Sequence, residues 1–347
     1  MLDRTILYKL LETASPSGGE LNIQKKMIEV LKDIDDKVIC NHNYNVTHVI
    51  NPDSDVKILC CAHIDEIGLY VERFLDNGLI ALNCVGGIRP YVYIGQHVKV
   101  IRRNGEELNG VIGYLPNLDK GGLKASDLRL DIGAKNKEEA MRLVSIGDYV
   151  IHKNSYQELA NDRLAGRALD DKISVYILCE VLKRLKQRNC KNGVYASFTV
   201  GEETTGRGAK IIADMVKPTL AIVLDVSYVN DVDYLEGLHN DTSLGKGPIF
   251  EIGSLMNDKI DKILREVAKD KNIDIQDTVD PSRTYTDVDS IFDRCGGIPL
   301  YLINIPLRYM HSSVEVCDMK DIEEIIEVLE EFIMRVNKSI AYNPFDE

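Results

Sequence analysis

The feature that most restricts the fold is an alternation of apolar strand-like runs with helix-like runs after about residue 160. Strands that alternate with helices form a largely parallel sheet with helices on both faces. The same texture opens the chain, where two helical patterns precede two apolar strands. We therefore predict an α/β domain. Its strand-like runs are VTHVI, VKILCCAHID, GVYASFTV, LAIVLDV and PLYLINI, and its helical patterns cover about 3–14, 19–33, 171–189, 207–216, 258–269, 287–294 and 320–337.

Between residues 66 and 159 the pattern changes to short β-rich runs separated by Gly, Asn and Pro. The runs include LYVERF, LIALNCV, HVKVI and GDYVIH. Closely spaced short strands with frequent turn residues are typical of a small β-barrel or sandwich. We therefore predict one α/β domain built from residues 1–65 and 160–347, which a β-rich insertion at 66–159 interrupts.

Composition excludes several classes of partner. The formal net charge of −13 disfavours nucleic acid and anionic membranes. No basic and then apolar leader opens the chain, and no apolar run reaches the roughly 18 residues of a membrane span. The eight cysteines form no CxxC pair, so we expect free thiols, mostly buried, in a reducing compartment. We expect a cytoplasmic protein.

Polar residues follow the apolar runs at several strand ends, which is where open α/β sheets place their binding crevice. Taken singly, an Asp before a helix is usually an N-cap, and a His after a strand is usually a core residue. Together they would bury several carboxylates without a neighbouring Lys or Arg, a cost that divalent metals offset. The residues are His63, Asp65, Asp170, Asp171, Glu202, Glu203, Asp225 and His311.

The remaining histidines have no acidic neighbours at comparable strand ends. We expect them to be structural: His42, His48, His97, His152 and His239.

Six ordered motifs resemble the M42 family of metallo-aminopeptidases, which includes tetrahedral (TET) and glutamyl aminopeptidases and members labelled endoglucanase. The resemblance covers essentially the whole chain. It implies a zinc-peptidase (phosphorylase/hydrolase-like) α/β/α sandwich with an inserted β-barrel-like dimerisation domain. The motifs are AHIDEIG (62–68), GRALDDK (166–172), GEETTGRGA (201–209), LDVS (224–227), GKGPI (245–249) and PLRYMHSSVEV (306–316).

The resemblance also implies a pair of divalent metal ions in each subunit, zinc in the first place, with cobalt or manganese as alternatives. His63 and Asp225 would bind one ion, and Glu203 and His311 the other. Asp170 would bridge both, because the family uses the first acid of its Asp-Asp pair. A water that bridges the two ions would be the nucleophile.

Two further acids would serve catalysis without binding metal. The resemblance implies that Glu202 acts as general base, taking a proton from the attacking water and passing it to the leaving amine. Asp65 lies two residues after His63 on the same predicted strand and would orient its imidazole. The implied reaction removes N-terminal residues from short peptides, in a homo-oligomer that dimerises through the insertion and assembles into a dodecamer.

One stretch departs from the family pattern, and other functions stay open. The family has a GGTDA run where this chain has TYTDV (284–288), so Tyr285 and Val288 are bulkier. A related dimetal dipeptidase, carboxypeptidase or deacylase would share the metal residues. A glycoside hydrolase would need two carboxylates and no metal, and would be expected to offer aromatic platforms, but the chain has no Trp.

Overall fold

An eight-stranded mixed sheet forms the centre of the protein. The computed structural model describes residues 2–115, 122–232, 241–340, 342, 343 and 345. The strands are β1 (Lys37–Cys40), β2 (Val46–Ile50), β3 (Lys57–His63), β4 (Gly68–Phe74), β5 (Ile80–Val85), β6 (Gln96–Ile101), β7 (Glu107–Ile112), β8 (Arg129–Asp131), β9 (Tyr149–His152), β10 (Tyr156–Leu159), β11 (Arg163–Gly166), β12 (Gly193–Thr199), β13 (Leu220–Tyr228), β14 (Ile249–Gly253), β15 (Gln276–Asp280), β16 (Leu300–Leu307) and β17 (Glu315–Asp318).

Helices cover the sheet and connect its strands. They are α1 (Thr5–Glu12), α2 (Leu21–Leu31), α3 (Lys137–Leu143), α4 (Leu169–Gln187), α5 (Arg207–Val216), α6 (Asp258–Lys271), α7 (Val288–Ile291) and α8 (Met319–Arg335). Short 3-10 turns lie at Pro90–Tyr93, Ala125–Asp127, Ala160–Asp162 and Arg294–Gly296.

The strand order of the central sheet is β1-β2-β12-β3-β13-β16-β14-β15. The four middle strands, β12, β3, β13 and β16, are parallel to one another. Within β3, Ile58 and Cys60 pack into one apolar cluster with helices α1, α2, α4 and α8, whereas Leu59 and Cys61 pack into a second cluster with α5 and α7. Both faces are therefore covered, and the predicted α/β/α sandwich is confirmed.

A second β structure is a closed barrel with the strand order β4-β5-β8-β7-β6-β9. Its interior is filled by alternate residues of these strands, including Leu69, Leu82, Val98 and Val150. This barrel is the β-rich body that the sequence predicted between the two parts of the α/β domain. Strand β10, which follows it, pairs with β11 instead of closing onto the barrel.

A three-stranded sheet of β10, β11 and β17 has no counterpart in the sequence analysis. Its strands are four residues long, and β17 pairs with β11 across more than a hundred residues of chain. Strand β11 leads into α4, and β17 leads into α8. The sheet therefore ties together two segments whose neighbouring turns carry Asp170 and His311.

A buried ion-pair network joins the first helices, the start of the barrel and α4. Glu66 accepts hydrogen bonds from Lys172 Nζ at 2.9 Å and from the Ser15 backbone N–H at 2.8 Å, and it forms an ion pair with Arg167. Burial opposes ionisation of Glu66, but the two cations outweigh it and lower its pKa to about 2. Because Lys172 also donates to the Thr13 carbonyl at 2.8 Å, the network holds the segment after α1.

We predict that Glu66→Gln destabilises the protein by about 3–5 kcal/mol, because it leaves two buried cations without their anion. Urea unfolding at neutral pH measures the change. Since the folded pKa of Glu66 is depressed, the stabilisation is present above about pH 4.5 and is lost as the pH falls towards 2. The exposed ion pair of Asp55 and Lys338 supplies a control, and Asp55→Asn should barely move the midpoint. Equal effects of the two substitutions would contradict the prediction.

Candidate metal centre

The side chains predicted at strand ends meet at one edge of the central sheet. The carboxyl ends of parallel strands lie together, so residues far apart in sequence converge there. His63 ends β3, Asp225 lies in β13, Glu202 and Glu203 follow β12, Asp170 lies at the start of α4, and His311 lies between β16 and β17.

The Asp170 carboxylate lies between the two histidines. Its Oδ1 is 3.0 Å from His63 Nε2, and its Oδ2 is 3.1 Å from His311 Nε2. His311 Nε2 is also 3.4 Å from Glu203 Oε1, while His63 Nε2 is 4.0 Å from Asp225 Oδ1. Asp170 therefore occupies the middle of the cluster, with one histidine and one further carboxylate on each side.

Two groups of three residues bring potential ligand atoms within 4.8 Å of one another. One group is His63, Asp170 and Glu203, and the other is His63, Asp171 and Asp225. Asp171 is fully buried, and its Oδ2 accepts the His63 backbone N–H at 3.2 Å. The sequence identified Asp171 only as the neighbour of Asp170. The structure shows in addition that Asp171 lies close to Asp225.

The cluster carries more negative charge than its protein surroundings compensate. Burial raises the pKa of Glu202 to about 10 and the pKa of Asp225 well above its usual value. Burial opposes protonation of His311, but hydrogen bonds to Asp170 and Glu203 raise its pKa to about 12. Carboxylates buried this closely need a cation. Mixed imidazole and carboxylate ligands suit zinc and related divalent metals, so the residues fit such ions.

Asp65 holds the turn of Glu202 and Glu203 through the backbone. Its two carboxylate oxygens accept the backbone N–H groups of Glu202 at 3.1 Å and of Glu203 at 3.3 Å. His63 Nδ1 is 3.1 Å from the Asp65 backbone carbonyl and 3.7 Å from its carboxylate. The Asp65 carbonyl therefore faces the His63 imidazole. The Asp65 carboxylate instead holds the turn after β12, a role that the sequence did not indicate.

Glu315 supports the other half of the cluster and was missed by the sequence analysis. Its Oε2 accepts the Asp170 backbone N–H at 3.1 Å, and its Oε1 accepts the His311 backbone N–H at 2.8 Å. The side chain is fully buried, which raises its pKa well above the usual value. The only sequence signal was an acid four residues after His311, a spacing that has meaning only once the turn is known.

The turn that carries Glu202 and Glu203 requires a glycine at its first position. Gly201 has φ +67°, a backbone conformation that residues with a Cβ rarely adopt. The Gly201 carbonyl accepts the backbone N–H groups of Thr205 and Gly206 at 2.9 and 2.8 Å. This closed turn fixes the direction in which the two glutamates leave the backbone.

A cavity of about 650 Å³ adjoins the cluster. Among the described residues that line it, none is a lysine or an arginine. The divergent stretch at 284–288 borders it through Thr284, Tyr285 and Thr286, and Tyr285 is 79% exposed. Asp287 instead turns inward and accepts a hydrogen bond from Thr199 Oγ1 at 2.5 Å. The bulkier Tyr285 therefore shapes the cavity, whereas Asp287 supports the end of β12.

The other histidines lie apart from the cluster where they are described. His48 Nδ1 is 2.6 Å from Asp35 Oδ2, and His152 stacks on Tyr93 in the barrel. His239 lies outside the described residues. None of the helices in the described ranges combines the length and the apolar character that a membrane span needs.

Comparison with known proteins identifies the family. The model of the M42 glutamyl aminopeptidase family matches residues 45–328. A putative aminopeptidase of Acetivibrio thermocellus is 33% identical over 335 residues, which cover 94% of this chain and 97% of the relative. A lysyl aminopeptidase of Pyrococcus furiosus is 30% identical and covers 94% of this chain and 96% of its own length.

Solved structures agree over the whole fold. A TET aminopeptidase from a marine sediment archaeon of the Thaumarchaeota superposes with a TM-score of 0.89 at 31% identity, covering 96% of both chains. The Pyrococcus horikoshii TET1 peptidase, which can assemble into a tetrahedron or a large octahedral shell, gives a TM-score of 0.84 at 29% identity, covering 95% of this chain and 99% of its own. This chain therefore belongs to the M42 family of peptidases and is an aminopeptidase.

Proposed function

We propose that the enzyme removes N-terminal residues from short peptides and that it uses two divalent metal ions, expected to be zinc. The observation that carries the proposal is the Asp170 carboxylate, which faces His63 with one oxygen and His311 with the other. In this assignment His63 and Asp225 hold one ion, Glu203 and His311 hold the second, and Asp170 serves both. Divalent ions so held would polarise the scissile carbonyl and lower the pKa of a water molecule.

Glu202 is the proposed general base. It lines the cavity, and its Oε2 is 3.9 Å from His63 Nε2. The backbone is fixed by Asp65, but the carboxylate itself remains beside the open cavity. From this position Glu202 can take a proton from the attacking water and deliver it to the amine that leaves.

The charge of the site favours a substrate with a free α-amine. A protonated amine next to the scissile bond would lie among buried carboxylates, and no lysine or arginine of the described lining competes for them. The same absence disfavours a carboxypeptidase or dipeptidase, which needs a cation for the substrate carboxylate. A glycoside hydrolase needs two carboxylates without metal, so sensitivity to a chelator separates that alternative.

We expect metal-loaded protein to cleave peptides with free N-termini and to leave their acetylated counterparts uncleaved, because acetylation removes the positive charge. Chromatography of paired peptides over time measures both rates. A chelator should abolish cleavage, and a divalent metal should restore it. Equal cleavage of acetylated and free peptides would exclude the aminopeptidase mechanism proposed for this site.

Substitution of the adjacent glutamates should separate their roles. Glu202→Gln keeps the shape but removes the base, so activity should fall by about 10²–10⁴-fold while metal content stays near that of the parent. Glu203→Gln removes a proposed ligand, so activity and metal content should fall together, and excess metal should partly restore both.

Metal analysis of both purified variants, with rates at several metal concentrations, distinguishes the two cases. A missing ligand lowers affinity, which mass action offsets, whereas a missing base cannot be restored by added metal. If added metal restored the activity of Glu202→Gln but not that of Glu203→Gln, the roles of base and metal ligand would have to be exchanged between the two residues.

We infer that residues 1–65 and 160–347 form the catalytic domain and that the insertion at 66–159 mediates a dimer, within a dodecamer. The barrel region exposes large apolar side chains, among them Tyr91 (54%), Met141 (55%) and Ile146 (59%). A second subunit that packs against this region would bury these side chains. The eight cysteines are unpaired, five of them buried and three exposed, which supports the cytoplasm as the compartment.

Ile146→Asp should weaken the dimer, because it places a charge at the proposed contact. Light scattering coupled to size exclusion measures the mass against the 39.0 kDa monomer. Met215→Asp on α5, at a side chain 51% exposed in the α/β domain, is the matched control and should leave the dimer intact. A parent protein that is monomeric at micromolar concentration would rule out this dimer.

A further inference from the structure

The cavity beside the metal centre extends from the middle of the sheet to its edge. At one end it is lined by Asp225 of β13, and at the other by Thr278 and Asp280 of β15. Between these strands lie β16 and β14. Neighbouring strands are about 4.8 Å apart, so β14 lies roughly 10 Å from β13. A substrate residue whose carbonyl reacts at the cluster can therefore direct a long side chain towards β14 and β15.

A row of polar side chains crosses these four strands on one face. Asp225 is paired in register with Asn304, Asn304 with Ile249, and Glu251 with Thr278. Since side chains two residues apart share a face, Glu251 lies on the same face as its neighbours in this row. Glu251 is thus placed between Asp225 and Thr278, which both line the cavity, whereas Glu251 itself is buried and does not line it.

Glu251 is a buried carboxylate with unused hydrogen-bonding capacity. Its Oε2 accepts hydrogen bonds from Thr278 Oγ1 at 2.7 Å and from Asn304 Nδ2 at 3.1 Å. Its Oε1 has no partner among the described residues, although the side chain is only 2% exposed. A cation in the cavity beside Thr278 would therefore lie close to this carboxylate.

Asp280 adds a second negative charge at the cavity rim, and the nearby cations are already paired. Arg265 Nη2 binds Asp277 at 2.7 Å, and Arg283 Nε binds Asp289 at 3.2 Å. The described chain places no lysine or arginine against the Asp280 carboxylate, whose charged neighbour is Asp289. The outer half of the cavity therefore presents uncompensated negative charge.

We propose that this outer half of the cavity selects peptides whose N-terminal residue carries a positive charge, lysine or arginine, with Asp280 at the rim as the specificity-determining carboxylate and Glu251 buried behind Thr278 as a supporting negative charge. The inference rests on the aminopeptidase reaction proposed above. An aspartyl or glutamyl side chain would enter the same space against like charge, with no cation among the described lining residues. A leucyl side chain would remove water from the carboxylates without replacing their hydrogen bonds.

The test compares kcat/KM for lysyl-, leucyl- and glutamyl-p-nitroanilide on the metal-loaded enzyme. The parent should prefer lysyl over leucyl and should hardly act on glutamyl. Asp280→Asn keeps the side-chain size and should lower the lysyl-to-leucyl ratio about tenfold, near the lower end of what a hydrogen bond to a charged group supplies. Asp280→Lys should reverse the order of lysyl and glutamyl while leucyl hydrolysis persists.

A matched control removes an acid outside the cavity. Asp293→Asn removes one exposed carboxylate, which follows α7 and does not line the cavity. This variant should leave the lysyl-to-leucyl ratio unchanged. Glu251→Gln should lower the ratio less than Asp280→Asn does, because Glu251 is buried and does not line the cavity. If Glu251→Gln fails to fold, Asp280→Asn and Asp280→Lys still decide the matter.

Leucyl-p-nitroanilide separates failure of this inference from failure of the proposed function. If the parent hydrolyses leucyl but prefers glutamyl to lysyl, or if Asp280→Lys leaves the order unchanged, the selectivity assigned here is overturned and the aminopeptidase reaction stands. If none of the three compounds is hydrolysed after metal loading, the proposed function fails and this inference fails with it.

Discussion

The structure depends on the concentration of buried carboxylates around Asp170. Opposed charges at such separations in a poorly polarisable interior interact strongly, and like charges repel equally strongly. Asp170 is held between two imidazoles, while burial raises the pKa of Asp171, Glu203 and Asp225. A fold that tolerates this arrangement must hold the acids rigidly and must reserve them for an added cation.

Two buried cations of the chain pair with Glu66 and not with these acids. Arg167 and Lys172 flank Asp170 and Asp171 in the sequence, yet both bind Glu66. Neutral backbone N–H groups orient the site instead, through Asp65 on the turn after β12 and Glu315 on the turns at Asp170 and His311. Glu66 thus satisfies two buried cations that lie close to Asp170 and Asp171 in the sequence.

Much of the fold followed from sequence because it rests on local patterns. Strand and helix alternation predicted the α/β/α sandwich, and the convergence of parallel strand ends brought His63, Glu203 and Asp225 to one edge. Glu315 and the sheet of β10, β11 and β17 were missed, because their pairings join short segments distant in sequence. Strands β14 and β15 were also missed. They are five residues long, and in β15 only Thr278 is buried, so no apolar run announces the strand.

The missed strands carry the proposed selectivity, and this follows from their position in the sheet. Strands β3, β12 and β16 are buried along nearly their whole length, so a substitution there would disturb packing on two faces. Strand β15 forms the sheet edge and exposes Asp280 to the cavity without a core contact to lose. The centre of the sheet can therefore keep the metal geometry fixed while the edge sets which side chain the enzyme accepts. Polar residues at a half-exposed sheet edge form no apolar pattern in the sequence. The sequence therefore predicted the metal-binding chemistry of the site but not which N-terminal side chain the enzyme accepts.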